Sequence, residues 1–535
     1  MKALTAAEMR EVDRLTTERH GVSGLDLMEA AGKAVADALR KEAYSFRSGG
    51  FAVLCGKGNN GGDGFVVARY LKEVQFEATV YLFGRREEVQ GDAARNLERW
   101  VAAKGEVFEI TEVEKLDAAW KRIARTAVLV DALLGTGLRG PATGLIADVI
   151  TRINELSGSA TRSRPSLIMS VDMPSGLSSD GETAEGPVLY AHRTVTFTAP
   201  KIGQLVSRSA ACCGRISVRQ IGSPAALVEQ LGTRAERSAG PDEFAGIPLV
   251  RAADSHKGTF GRAVIVAGSR GKSGAAVLAG YACLRAGAGL TTIATPDEIQ
   301  PVVAAAYPEY MTEPLLATKT GGIAAANASS GRITKLLEDK AVVAIGPGIG
   351  THVETRMVVQ QMVRESELPI VLDADGLNCF DGEAYKLGQR KTQFLAITPH
   401  PGEMARLLGA KNADVQSDRL KAATEAAKKW KAHVILKGYH TILAAPDGRV
   451  FVNMSGGPGL AKGGSGDVLT GVLAALTAQF GTNDWLRVLA LGVYLHGIAA
   501  ELPGMAPDDS GTLAEEVAER IPRARAQLLM GLRRG

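Results

Sequence analysis

Short apolar runs alternate with helix-length amphipathic segments along most of the chain. After an opening helical stretch, the first half carries FAVLCG, EATVYLFG, AVLVDALLG, SLIMSVDMPSG and VTFTAP. The same alternation restarts after residue 258 with GRAVIVAGS, LTTIATP, AVVAIGPG, PIVLDADG, FLAITPH and HVILKG. It predicts parallel sheets covered by helices, an α/β fold in each half. Several runs end in glycine or an acid, and open parallel sheets bind ligands at those carboxyl ends. Residues 222–257 lose the strand pattern and carry Gly, Pro and charge, so they read as a boundary. The junction falls near residue 235, giving domains 1–235 and 236–535. No fixed-period repeat is evident, since two similar strand patterns do not by themselves make a duplication.

Length supports the division: 535 residues exceed the roughly 250 to 300 at which a single core stops growing. Apolar residues at 45% and charged residues at 22% are ordinary for globular chains and exclude wholesale disorder. The net charge of +4 arises from 62 basic and 58 acidic residues without a long block of either sign, which argues against a nucleic-acid partner. Cys55, Cys212, Cys213, Cys283 and Cys379 are odd in number, contain no C-x-x-C pair and read as reduced core thiols. The N-terminus lacks a signal-peptide pattern, and no apolar run is long enough to span a bilayer. A cytoplasmic enzyme with no membrane partner is the expectation.

The strand FAVLC runs into GKGNNGGDG, residues 56–64, and then into a helix-spaced segment. The run formally contains G-x-G-x-x-G at Gly56, Gly58 and Gly61, and Arg85 and Arg86 end the next strand, which would suit a conventional NADP fold; alone that fingerprint is weak. Its unusual part is Asn59, Asn60 and Asp63 among the glycines. They either form the turn and cap the helix or offer ligands. Two more strand ends are polar: Asp131 in VLVDALLGTGLRGP, and Asp172 with Ser175 in SVDMPSG. Oxygen donors without clustered His or Cys suit an alkali or alkaline-earth ion rather than zinc. The run GTGLRGP offers backbone amides for a phosphate or ribose.

GNNGGDG, VDALLGTGLRGP and VDMPSG, with LTAAEMREVD near the start, resemble the NAD(P)H-hydrate epimerase family over about the first 220 residues. The resemblance implies a Rossmann-like three-layer domain that interconverts the R and S forms of hydrated NADH and NADPH. It implies potassium held by Asn60, Asp131 and Ser175. Asn59, Asn60, Gly61, Gly62 and Asp63 would face the hydrated nucleotide, as would Gly135, Thr136, Gly137, Leu138, Arg139, Gly140 and Pro141, and Asp172. Epimerisation by loss and return of hydroxide needs an acid–base carboxylate, and Asp172 is the candidate. The competing reading is that Asp172 only caps or positions the VDMPSG turn.

In the second half, SGGPGLAKGGSGDVLTG, residues 455–471, passes into the small apolar segment VLAALTAQ, so a buried helix begins near Gly466. Gly463, Gly464 and Gly466 remove side chains where phosphate oxygens must approach backbone N–H groups at a helix N-terminus. Asp467 at that mouth would repel phosphate unless it serves as general base; the bland alternative is an ordinary acid in a first turn. This is no Walker A loop, because Val266 stands where its first glycine is needed. The glycine run with its Asp resembles the ribokinase-like superfamily, in which the acid activates an acceptor hydroxyl.

With GPGIG (346–350), LDADGLN, TPHPGEMARLLG and LKGYHTIL, the second half resembles the ADP/ATP-dependent NAD(P)H-hydrate dehydratases over about residues 250 to 500. By that resemblance Gly348, His400 and Asp467 contact the hydrated dinucleotide. ADP or ATP is held by Lys437, Gly438, Tyr439, His440 and Thr441, and by Gly457, Pro458, Gly459, Leu460, Ala461, Lys462, Gly463, Gly464, Ser465 and Gly466. Lys462 departs from the commonest family pattern, where a small or hydroxyl residue is usual. Phosphoryl transfer to the C6 hydroxyl turns a poor leaving group into phosphate, which the ring nitrogen expels. Mg²⁺ would neutralise the transferring charge. The fused form implies a preference for ADP, giving AMP and phosphate, and a homo-oligomer is expected. Two rivals stand beside this reading: a ribokinase-like small-molecule kinase such as a hydroxymethylpyrimidine kinase, and an N-terminal half that serves only as a binding or RNA-scaffold module.

Overall fold

The computed structural model describes residues 1–43, 49–158, 165, 167–181, 186–233, 236–481, 484–502 and 511–532. The chain forms two compact units, Met1–Glu236 and Arg237–Gly535. Residue 235, where the sequence puts the junction, lies outside the described residues.

The first unit is built on β1 (Phe51–Cys55), β2 (Ala78–Leu82), β3 (Glu106–Glu109), β4 (Val128–Ala132), β5 (Leu167–Val171), β6 (Arg193–Phe197) and β7 (Arg215–Arg219). Their order is β3-β2-β1-β4-β5-β6-β7, and every pairing is parallel. The apolar runs are continuous because both faces are covered. In β1, Phe51, Val53 and Cys55 enter one core while Ala52 and Leu54 enter the core on the other face. The strand order reverses between β1 and β4, which opens a crevice beyond their carboxyl ends.

The second sheet contains β8 (Glu236–Ala239), which begins at the last residue of the first unit, β9 (Arg262–Val266), β10 (Leu290–Pro296), β11 (Met311–Leu315), β12 (Val342–Ile345), β13 (Ile370–Leu372), β14 (Leu395–Ile397), β15 (His433–Leu436), β16 (Thr441–Ala444) and β17 (Val450–Asn453). They lie in the order β11-β10-β9-β12-β13-β14-β15-β16-β17-β8. The array from β11 to β15 is parallel as expected, and beyond it β15 with β16 and β16 with β17 pair antiparallel. The boundary segment also contains structure, the helix Ala225–Leu231 and strand β8. Both are short and carry polar residues, so neither leaves an apolar run to read.

The helix Ser465–Phe480 is apolar around most of its circumference and lies buried against the helix Ser273–Arg285 and strands β9, β12 and β13. Its N-terminus therefore reaches the sheet's carboxyl edge. All five cysteines are buried and free. Among the described residues no helix is long and apolar enough to cross a membrane.

Candidate functional site

Each unit holds its polar groups at the carboxyl edge of its sheet. In the first, the turn after β1 must pass very close to two other backbone segments. A Cβ on Gly56 would lie 2.0 Å from the Leu133 carbonyl oxygen, and one on Gly61 would lie 1.9 Å from the Gly56 carbonyl oxygen. These glycines seat the helix Asn59–Glu73 on the sheet rather than opening a ligand path. Asn59, Asn60, Asp63, Gly135, Thr136, Gly137, Leu138, Arg139 and Asp172 line a cavity of about 800 Å³. Gly61, Gly62, Gly140 and Pro141 do not line it; Gly62 packs beneath Met28 and Ala93. Arg85 and Arg86 are also absent from the lining, and Arg86 pairs with Glu109, so a conventional NADP phosphate site is not formed there.

Asn60, Asp131 and Ser175 come together around one loop. Asn60 Nδ2 donates to the Leu134 carbonyl at 2.9 Å, and Leu134 N–H donates to Ser175 Oγ at 2.9 Å. Asp131 accepts from Ser175 N–H at 2.9 Å, from the Ser175 hydroxyl and from Ser170 Oγ at 2.8 Å. Asp131 is therefore the carboxylate that ties down the VDMPSG turn. Burial raises its pKa despite these bonds, and no Lys or Arg pairs with it among the described residues. An oxygen-only donor set around a buried, uncompensated carboxylate fits a monovalent cation. Among the described residues no three His, Cys, Asp or Glu groups are arranged to hold a metal ion.

Asp172 does not cap its turn. Its Oδ1 accepts from Thr196 Oγ1 at 2.9 Å, from Phe197 N–H at 3.3 Å and from the Lys201 ammonium. Lys201, 1% exposed, spends its other protons on Thr196 Oγ1 at 2.9 Å and the Phe197 carbonyl at 3.2 Å. All of these bonds fall on Oδ1, which leaves Oδ2 for a ligand in the cavity. The backbone of Asp172 is left-handed, φ 61°, a conformation that costs an L-residue on the order of 1 kcal/mol or more and recurs at functional sites. Lys201 escaped the sequence reading because nothing in TAPKIG marks it as the partner of an acid 29 positions earlier.

In the second unit Gly348, Gly463, Gly464 and Asp467 line a cavity of about 480 Å³, together with Lys272, Asp375 and Glu403. Gly464 takes φ +93° before the helix Ser465–Phe480, and nothing lies within 4 Å of a Cβ built on Gly463. The helix N-terminus is thus open, which suits an anion. Burial and the neighbouring charge of Asp373 push the Asp467 carboxyl up to about 7, with Lys437 opposing.

Lys437 donates to Asp373 Oδ1 at 2.8 Å and lies 3.9 Å from Glu403 Oε2. Asp373, 1% exposed, also accepts from Thr398 Oγ1 at 2.6 Å and from Thr470 Oγ1 at 2.7 Å. Burial alone would raise it, but Lys437 and these bonds hold it below the usual carboxylate range. A Cβ on Gly466 would sit 3.4 Å from Lys437 Nζ, so the lysine head lies against the helix mouth.

His400 is the N-cap of the helix Pro401–Leu408: its Nδ1 accepts from Gly402 N–H at 3.0 Å and Glu403 N–H at 3.4 Å. Its Nε2 lies 3.5 Å from Glu403 Oε1. His400 is absent from the cavity lining, whereas Glu403 of the same motif is present. The loop Lys437–Thr441 is held by Arg419, whose guanidinium donates to the carbonyls of Leu436, Tyr439 and His440. A Cβ on Gly438 would meet that guanidinium at 2.8 Å. Gly457, Pro458, Gly459, Leu460, Ala461 and Lys462 lie outside the lining, and Leu460 packs against the core.

Residues 263–523 match the family described as NAD(P)H-hydrate dehydratase, and residues 24–203 match the family described as YjeF-related protein N-terminus. The chain is 38% identical over 526 residues to the bifunctional NAD(P)H-hydrate repair enzyme Nnr of Moorella thermoacetica, covering 98% of this chain and 96% of the relative. It is 33% identical over 520 residues to the enzyme of the same name from Escherichia coli, covering 97% and 93%. The solved ADP/ATP-dependent NAD(P)H-hydrate dehydratase from Bacillus subtilis, co-crystallised with ATP and Mg²⁺, is 32% identical, with 52% of this chain and 94% of that one covered at a TM-score of 0.46.

Proposed function

This chain belongs to the bifunctional NAD(P)H-hydrate repair enzyme family, and from that premise we propose how its two units divide the repair. The enzyme carries an NAD(P)H-hydrate epimerase and a nucleotide-dependent NAD(P)H-hydrate dehydratase. The first unit epimerises. The ring nitrogen expels the C6 hydroxyl and water returns on the other face, with Asp172 Oδ2 as an acid–base group facing the ring. Asn60, Asp131 and Ser175 would hold potassium, which when bound supplies positive charge beside Asp131 and orders the Leu134 loop that lines the cavity.

The second unit dehydrates the S hydrate. Asp467 takes the proton of the C6 hydroxyl as the terminal phosphoryl group of ADP or ATP, carried with Mg²⁺, is transferred. The open amides at Gly463 and Gly464 receive the phosphate oxygens, and Lys437 adds positive charge at the same helix mouth. The ring nitrogen then expels phosphate, leaving a C6=N cation, and loss of a C5 proton forms the C5=C6 bond and restores the dihydronicotinamide. The fused form favours ADP, which would give AMP and phosphate. What carries this reading is Asp467 itself, a carboxyl held near neutrality at the open N-terminus of a glycine-led helix: a base beside a phosphate site, in a chain matched over nearly its whole length by repair enzymes.

The test is to incubate the protein with both NADPH hydrates, Mg²⁺ and either ADP or ATP, following absorbance of the reduced nicotinamide. Recovery beyond the S fraction requires both activities. No recovery with either nucleotide would overturn the proposal, and accumulation of a stable phosphoester would favour a small-molecule kinase.

A further inference from the structure

Asp13 belongs to the LTAAEMREVD segment and is not among the groups assigned to either reaction. It lies on the helix Ala6–His20, whose first turn is closed by a Thr5–Glu8 capping box. Two residues before that helix the chain is tied to the lysine segment: Leu4 N–H donates to the Pro200 carbonyl at 2.9 Å, and Ile202 N–H donates to the Leu4 carbonyl at 3.1 Å. The helix therefore starts beside Lys201. Met9, Val12 and Leu15 are buried and fix its rotation, which turns Arg10, Asp13, Arg14 and Thr17 to the 800 Å³ cavity that Asp63, Asp172 and Lys201 also line. Their spacing of i, i+3, i+4 and i+7 is one helical face.

Three carboxylates, Asp13, Asp63 and Asp172, thus share one buried cation. Lys201 is already bonded to Asp172. Arg14, on Asp13's own helix, is occupied by Glu11 and Glu18, and Arg10 and Arg139 also line the cavity. Asp13 Oδ1 is buried and accepts no hydrogen bond. Like charges in a common apolar site cannot all be ionised, so protons settle on the acids that lack the lysine. Burial and the charge of Asp172, opposed by Lys201, bring Asp13 to about 6, while burial and both neighbouring acids push Asp63 well above the usual range.

The chemistry needs what this cluster offers. Inverting C6 through a planar ring cation means that hydroxide leaves one face and water returns on the other, and one carboxylate cannot serve both faces at once. We propose that Asp13 is the second acid–base group of the epimerisation, giving its proton to the departing C6 hydroxyl while Asp172 takes the proton of the returning water. The C6–O bond breaks with its electron pair on oxygen, which gains the Asp13 proton and leaves as water. The ring-nitrogen lone pair forms the C6=N bond. Water then adds to the opposite face, a new C6–O bond forms, the π pair returns to nitrogen, and the surplus proton passes to Asp172 Oδ2. One proton has moved from Asp13 to Asp172, and exchange with solvent resets the pair. The reverse epimerisation runs with the two roles exchanged.

The assignment rests on the first unit being the epimerase, and its test separates the two. Exchange between R and S hydrates is followed by chromatography in the full chain, without nucleotide, from pH 5 to 8.5. In the unaltered protein kcat/KM falls as pH rises through about 6, because the acid must be protonated. Asp13→Asn, which removes a buried carboxyl without changing shape, lowers exchange about 10²-fold or more and abolishes that fall, while ADP-dependent dehydration of the S hydrate is unchanged. Asp13→Glu regains at least about tenfold over Asp13→Asn, with the pH limb restored. Exchange at the original rate in Asp13→Asn, an intact alkaline limb in that variant, or no gain in Asp13→Glu would overturn the proposal. Absence of exchange in the unaltered protein would instead remove the epimerase reading beneath it.

Discussion

The two units place their strand-end acids on the same scaffold in different surroundings. Seven parallel strands run β3-β2-β1-β4-β5-β6-β7 in one unit and β11-β10-β9-β12-β13-β14-β15 in the other, the same order when each array is counted from its first strand. In both, an aspartate ends the fifth strand of the array and binds a lysine from beyond a later one: Asp172 with Lys201, and Asp373 with Lys437. Asp172 is 13% exposed and keeps Oδ2 unbonded; Asp373 is 1% exposed and has both oxygens bonded. The first can meet a ring, whereas the second can only hold its lysine at the helix mouth. With the strand-end acid saturated, the proton chemistry proposed for the second unit falls to Asp467, at the head of a sixteen-residue helix. A free oxygen, more than the residue type, distinguishes the acids to which the proposed proton chemistry is given.

The comparison breaks most visibly at the reacting groups. Asp467→Asn should lower nucleotide-dependent dehydration about 10³-fold and leave R–S exchange untouched, as read by nicotinamide absorbance in one assay and chromatography in the other. Equal loss of both activities would mean that the units do not work independently.

Next come the lysines. Lys437→Met leaves Asp373 buried with no cation and should cost about 3 to 5 kcal/mol. Lys201→Met should cost less, about 2 kcal/mol, because Asp172 is more exposed. Denaturant midpoints of the two units check the order, and a larger loss for Lys201 would reverse the contrast drawn between the acids.

The glycines sharpen the same point at smaller scale. Gly61→Ala should destabilise the first unit by about 2 to 3 kcal/mol, since its Cβ would meet a backbone oxygen that cannot retreat. Gly463→Ala, in open space, should change stability by less than about 1 kcal/mol and show itself as weaker ADP binding in calorimetry.

The smallest effect has a definite sign. Asp467 is held near 7 in the folded chain, above its unfolded value, so it binds its proton more tightly when folded. The stability linked to it is greatest in acid and is lost as pH rises from the ordinary carboxylate range through about 7. Asp467→Asn escapes that loss and should be more stable than the unaltered protein at pH 8 by on the order of 1 kcal/mol, with no gain at pH 4. Dehydration by the unaltered protein runs the other way, its kcat/KM rising through about 7 as the base loses its proton.

By itself the sequence determined the elements that are buried on both faces and the turns that follow them. FAVLC, VLVDA, RAVIV and VVAI are continuous apolar runs because both faces of each strand are covered, and burial writes itself locally into composition. Asp467 was legible for a similar reason: the glycines that open the helix mouth are its immediate neighbours. The exposed edge strand EVFE, the hairpin TILA and VFVN, and strand β8 inside the boundary segment were not, because partial burial or short length leaves little pattern. The tertiary structure alone decided the charge partners. Lys201 meets Asp172 across 29 positions and Lys437 meets Asp373 across 64, while Arg419 clamps a loop about a helix and a strand away. Asp13 joins its cluster only because Leu4 pairs beside Lys201. An ion pair stabilises through distance and desolvation, and neither quantity exists until the loops between the partners have closed.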